Sequence, residues 1–305
     1  MRLDNIGESD NLEDRRGEGG GGGFGGGFGL PARSGGLGFG TMIILGIVAW
    51  VFGISPSVLI GGAEILSNVT GGSRPAQTSS APPRTATGKK DADQQFVSRV
   101  LRSTEEVWTE QFAKQLNLRY QPPRTVMFSG FTQSGCGSAQ SAMGPFYCPL
   151  DQRVFLDTSF FNEMKSRLNA GGDFAYAYVI AHEVGHHVEN QLGILPKVQE
   201  MQARVGRKES NNLSVRVELM ADCLAGVWAH HAHEKFGILE KGDIEEALNA
   251  ANQIGDDKLQ KASQGYAVPD SFTHGSSKQR MDWFTKGLKD GQIRGCDTFS
   301  TRNGA

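Results

Sequence analysis

The chain has 305 residues, with 31 Lys and Arg against 33 Asp and Glu and a formal net charge of −2. That length holds one large domain or two small ones, and the near-neutral balance gives no footing for nucleic acid as a partner. Glycine, 41 in all, is concentrated in residues 1–40.

Residues 1–40 open with charges and then run Gly-Gly-Gly-Gly-Gly-Phe-Gly-Gly-Gly-Phe-Gly from Gly19 to Gly29. So few apolar side chains cannot offset the entropy of ordering, and the segment is expected to be a disordered, Gly-rich cytoplasmic tail. Residues 41–62 carry no charge and match the roughly 20 residues that cross a bilayer core. Arg2, Arg15, Arg16 and Arg33 precede them, which favours a cytoplasmic N-terminus, and so long a leader argues against a cleaved signal peptide. The expectation is one N-terminal transmembrane helix in the inner membrane, with the remainder extracytoplasmic on the periplasmic side. Residues 63–92, rich in Gly, Ser, Thr and Pro, read as a flexible linker, and residues 93–300 as the folded domain.

Within that domain Phe96, Val97, Val100, Leu101, Val107, Trp108, Phe112 and Leu116 recur at helical spacing and stop before Pro122 and Pro123, which predicts an amphipathic helix with its aromatics in the core. Thr125–Phe128 and Arg153–Asp157 read as strands, with a small-residue loop between them that holds Cys136 and Cys148.

The next stretch, 174–193, contains His182-Glu183-Val184-Gly185-His186, an HExxH pattern. Positions i and i+4 lie on one helix face, so both imidazoles can reach one ion at roughly 2.0–2.1 Å for zinc. Glu183, about 100° further round the helix, is placed to take a proton from water rather than to ligate. Phe174, Tyr178, Ile180, Ala181, Val184 and Val188 make the helix a buried one, and Gly193 stops it. The strand Arg153–Asp157 just upstream is expected to be the sheet edge on which an extended substrate docks through main-chain hydrogen bonds.

After a polar stretch to Ser210, read as a surface hairpin or flap, a second apolar helix carries Glu218 and Asp222, again i and i+4. Two carboxylates on a buried helix are costly unless paired or bound to a metal. Glu218 is therefore assigned as the third zinc ligand, and Asp222 as the acceptor that fixes the far ring N–H of a ligating histidine. His187, His230, His231 and His233 are read as solvated or capping, with no second metal site expected. His274 lies on a loop before the last helix. It reads either as a donor to a developing oxyanion, with Asp270 as its orienter, or as a helix-capping residue.

Three blocks, His182-Glu-Val-Gly-His186-His187, Glu218-Leu-Met-Ala-Asp222-Cys-Leu-Ala-Gly226 and Phe272-Thr-His-Gly-Ser-Ser-Lys-Gln-Arg280, together resemble the bacterial putative neutral zinc metallopeptidase family, with an arrangement similar to that of the gluzincins. The resemblance implies an α+β, zincin-like domain, mainly helical with a small sheet. It implies one Zn2+ per chain on His182, His186 and Glu218, Glu183 as catalytic acid and base, and a protein or peptide substrate. An extracytoplasmic setting then suits the four cysteines as disulfides: Cys136 with Cys148 across a short loop, and Cys223 with Cys296 tying the Glu218 helix to the C-terminal tail, although spacing leaves the connectivity open. The same residues also suit a non-catalytic, zinc-stabilised peptide-binding or scaffold protein of the cell envelope, or amidase chemistry on cell-wall peptides.

Overall fold

The computed structural model of the protein describes residues 1–17, 90–140 and 144–300. Helix α1 (Ala92–Gln111) starts at Asp91, whose carboxylate accepts the Gln94 N–H, and passes into a π-helical turn, Phe112–Leu116. Asn117, left-handed at φ 54°, ends it. Four strands form a mixed sheet in the order β1 (Leu12–Asp14), β2 (Arg124–Phe128), β6 (Arg153–Asp157), β5 (Phe146–Cys148). β1 and β6 each run parallel to β2, and β5 runs antiparallel to β6. A hairpin of β3 (Phe131–Ser134) and β4 (Gly137–Gln140) stands apart from it.

The rest is helical: α2 (Ser159–Ser166), α3 (Asp173–Gln191), α4 (Ile194–Gln202), α5 (Arg207–Phe236), α6 (Asp243–Gln253), α7 (Asp256–Gln264) and α8 (Ser277–Asp290). α3 and α5 form the centre of the core, where Trp228 stacks on Phe174 at 6.0 Å and donates its indole N–H to Ser103 on α1. α8 lies against α5 at a glycine contact. A Cβ added at Gly287 would sit 1.9 Å from the carbonyl oxygen of Cys223, and one at Gly226 2.2 Å from that of Phe284. The two backbones touch because neither position carries a side chain. Disulfides join Cys136 to Cys148 and Cys223 to Cys296, with Cα–Cα separations of 5.8 and 5.5 Å. The first fixes the hairpin to β5, and the second ties α5 to the C-terminal turn at Ile293–Cys296.

Three expectations need correction. The described fold is mainly helical with a small mixed sheet, and among the described residues no helix is long and apolar enough to cross a membrane; the expected span 41–62 and most of the linker lie outside the described residues. The expected single-pass placement in the inner membrane is contradicted on topological grounds. Residues 1–17, read as part of a disordered cytoplasmic tail, belong to the same fold as residues 90–300. Leu3 and Ile6 are buried in the main core, Ser9 hydrogen-bonds Ser98 and Glu105, and β1 pairs with β2. One crossing between them would put these partners on opposite sides of a bilayer. What orders the N-terminus is main-chain pairing and buried polar contacts, which hydrophobic periodicity does not register. Lastly, β6 is an inner strand; the edge on that side is β5.

Candidate metal centre

The helical spacing read from the sequence brings His182 and His186 to one face of α3, opposite Glu218 on α5. Their donor atoms all lie within 4.8 Å of one another. His182 Nε2 is 3.2 Å from Glu218 Oε2, and His186 Nε2 is 3.6 Å from Glu218 Oε1. Two ligands of a tetrahedral zinc, each near 2.05 Å from the ion, stand roughly 3.3 Å apart, so the spacing and the donor chemistry fit that ion. Gly185 lets the helices close up here, since its Cβ would come 3.0 Å from the Ala221 carbonyl oxygen.

The far nitrogen of each imidazole is held by a buried carboxylate. His182 Nδ1 is 2.9 Å from Asp222 Oδ1, and His186 Nδ1 is 2.9 Å from Glu189 Oε2. A carboxylate accepts the Nδ1 proton, which leaves Nε2 to face Glu218, the support metal-binding histidines ordinarily have. Asp222 is in turn gripped by Arg280, whose Nε and Nη2 donate to its two oxygens at 2.8 and 3.0 Å, and it accepts the Tyr178 hydroxyl.

The charges follow from these contacts. Burial alone would lower His182, but Asp222 and Glu218 lift it to about 10. His186 is also raised, against its burial, by Glu189 and Glu218. Burial pushes Glu189 up to about 7 despite His186, and its Oε1 has no hydrogen-bond partner. Burial opposes ionisation of Glu218 as well, yet the neighbouring His274, His186 and His182 hold its carboxyl far below the usual range. Burial raises Glu183 more than the neighbouring imidazoles lower it. Glu183 lines a cleft of about 190 Å³ together with His182, His186, Glu218 and His274. The cleft is otherwise largely apolar, with Phe146, Phe160, Val179, Leu195 and Val198 in its walls.

The sequence of this chain matches, over residues 1–299, a family described as "Putative neutral zinc metallopeptidase". The uncharacterized protein YpfJ of Escherichia coli strain K12 is 49% identical over 300 residues, 98% of this chain and 99% of YpfJ. The uncharacterized protein Rv2575 of Mycobacterium tuberculosis strain H37Rv is 43% identical over 208 residues, 65% of this chain and 68% of its own.

The chain belongs to this zinc metallopeptidase family. No solved structure matches it. The family implies zinc, and His182, His186 and Glu218 are a candidate set for it; a peptidase family also implies a protein or peptide substrate. The disulfides point to an oxidising, extracytoplasmic setting.

Other family-motif residues fall into different places than the sequence suggested. His274 is buried and lines the cleft, and the cap of α8 is Ser276, in a capping box with Gln279. Asp270 does not orient His274; it is exposed and pairs with Lys208 at 3.0 Å. Asp256, at the start of α7, takes that place. Its Oδ2 accepts the backbone N–H groups of Thr273, His274 and Gly275, and its Oδ1 lies 3.3 Å from His274 Nδ1. His187 is not solvated: it is buried, donates from Nε2 to the Gln121 carbonyl and accepts the Tyr147 hydroxyl at Nδ1, which fastens β5 to α3. Glu189 and Arg280 were missed as supports, although both had signals. Glu189 is i+3 from His186, and Arg280 shares with Phe284 and Gly287 the buried face of α8.

Proposed function

We propose that this protein is a zinc-dependent endopeptidase acting on extended protein or peptide segments. The observation that carries the reading is the meeting of two imidazoles on one helix with a carboxylate on another, beside a buried Glu183. His182, His186 and Glu218 hold the ion, which when bound supplies a Lewis acid for a carbonyl oxygen and lowers the pKa of water toward about 7. Glu183 takes the proton of the attacking water and delivers it to the leaving amine. Without the ion, burial raises its carboxyl, and general bases work best with a pKa close to the working pH. His274 donates to the oxyanion: Asp256 and Thr273 engage its Nδ1, so Nε2 is the ring's remaining hydrogen-bonding atom. The substrate adds to the open side of β5 through main-chain hydrogen bonds, and a large apolar side chain enters the cleft walled by Phe146, Phe160 and Leu195.

Glu183→Gln tests the assignment. The variant is expected to keep its zinc and to lose cleavage of a peptide library by about 10²–10⁴-fold. A wild-type protein that holds zinc and binds peptides but cleaves none of them, with Glu183→Gln behaving identically, refutes the enzyme and favours a peptide-binding role. Loss of zinc in Glu183→Gln refutes the division of labour between ligands and base.

A further inference from the structure

The C-terminal turns of α5 carry His230, His231 and Glu234, side chains that the peptidase site does not use. Their donor atoms lie within 4.8 Å of one another. His230 Nε2 is 3.4 Å from Glu234 Oε1, and His231 Nδ1 is 3.0 Å from Glu234 Oε2. These separations bracket the roughly 3.3 Å expected between two ligands of one tetrahedral ion.

The other ring nitrogens decide what those donors are. His230 Nδ1 is 2.8 Å from the carbonyl oxygen of Leu288, and His231 Nε2 is 2.8 Å from that of Gly291. A carbonyl oxygen only accepts, so the ring proton of each histidine sits on the nitrogen facing it. In the neutral rings His230 Nε2 and His231 Nδ1 then both carry lone pairs, and both confront the same carboxylate. The three donors converge on one point, which a metal ion can fill as well as a ring proton.

The C-terminus of α8 builds this setting. Gly291 is left-handed at φ 61°, and a Cβ there would come 2.6 Å from His230 Cδ2, so the glycine leaves room for the ring. Lys235, which shares a shallow groove with His231 and Glu234, is drawn instead to Glu106 and Glu110 on α1. Another group of acidic side chains among the described residues, Asp173, Asp243 and Glu246, differs in kind. The Met1 ammonium lies 2.8 Å from Asp173 and 3.3 Å from Asp243, and Glu246 accepts the Phe174 N–H.

We propose that His230, His231 and Glu234 form a second metal site, for a divalent transition ion of the zinc, copper or nickel class. Two imidazole nitrogens select these ions over calcium or magnesium, which prefer oxygen ligands. The two backbone carbonyls serve here as Asp222 and Glu189 do at the first site, holding each ring by its far N–H. The second site is independent of the peptidase assignment. It also revises the reading of His230 and His231 as merely solvated or capping.

The test uses the whole chain, stripped by chelator, dialysed against buffered Zn2+ and assayed for bound metal. Glu234→Gln and His231→Gln are each expected to bind one equivalent fewer than the wild-type protein, or to bind that equivalent at least tenfold more weakly. Glu234 is 62% exposed in its side chain, so its substitution leaves the packing intact. The difference between wild type and variant is the readout, so failure of zinc binding at His182, His186 and Glu218 does not obscure it. Equal zinc uptake and affinity in wild type, Glu234→Gln and His231→Gln overturns the proposal.

Discussion

Replacing Arg280 by methionine removes one charge from the most ionic part of the interior while keeping an unbranched chain. Arg280 is 2% exposed, and its bidentate contact with Asp222 is the firmest cationic partner that carboxylate has. Breaking a buried ion pair from one side costs about 3–5 kcal/mol, because the partner is left charged and desolvated. His182 Nδ1 still faces Asp222, so the lower end, about 3 kcal/mol, is expected. For a domain of this size that corresponds to a drop of roughly 6–12 °C in Tm. The loosened Asp222 also fixes His182 less well, which weakens zinc by about 10–100-fold. Urea unfolding of the chelator-stripped protein reads the first effect, and competition with a chromophoric chelator reads the second. Asp222→Asn combined with Arg280→Met removes both charges and leaves an amide oxygen for His182, so the double variant is expected to be more stable than Arg280→Met alone. A single variant with wild-type midpoint and zinc affinity, or strictly additive costs in the pair, refutes the reasoning.

Glu189→Ala deprives His186 of its Nδ1 acceptor, and zinc affinity is expected to fall about 10–100-fold, whereas Glu189→Gln, which keeps an oxygen, falls less; unchanged affinity in the alanine variant contradicts the role. In stripped protein His182 stands at about 10 against an ordinary 6.5, as Asp222 and Glu218 outweigh its burial. The raised value means its stabilising charge is fully present below about pH 6.5 and is lost as pH climbs through about 10. Zinc must displace that proton, so its affinity is expected to rise with pH from about 6.5 to about 9, up to about tenfold per unit for each proton released; a flat profile in isothermal titration counts against it. Gly287→Ala forces a methyl into the Cys223 carbonyl and is expected to cost about 3 kcal/mol or more, while Gly206→Ala, with open space at its α-carbon, stays near wild type in the same urea titration.

The candidate ligand residues were readable because each half of the site obeys a local rule. His182 and His186, like Glu218 and Asp222, are one helical turn apart, and carboxylates on an apolar helix must be compensated. Glu189 follows from the same arithmetic carried one step further along α3. The orienter of His274 does not, since Asp256 and Asp270 are both near in sequence and only the packing of α7 under the loop selects between them. Strand order was illegible for a similar reason: alternation of apolar residues marks β2 and β6 but not which partner lies beside each. The N-terminus escaped because Ser9, Asn11 and β1 are ordered by hydrogen bonds to Ser98, Glu105 and β2, and the Gly tract behind them dominated the composition.

The charge balance of the interior links the ends of the chain. Glu183, Glu189, Glu218 and Asp222 are all buried on α3 and α5, and each unpaired carboxylate there costs several kcal/mol. Arg280 answers Asp222. Glu218 and Glu189 are answered by His182 and His186, whose rings can each donate at both nitrogens when protonated. If His182, His186 and Glu218 held a divalent ion in place of two ring protons, the net charge of the buried cluster would not change. Both Nδ1–H contacts, to Asp222 and to Glu189, persist through that exchange, so the same side-chain arrangement serves the protonated and the metal-bound cluster. A monovalent cation leaves the cluster one charge short, and calcium, though divalent, is a poor match for two imidazole nitrogens. On the proposed assignment, selectivity for a zinc-like ion would therefore rest on the carboxylates and Arg280 as much as on His182, His186 and Glu218.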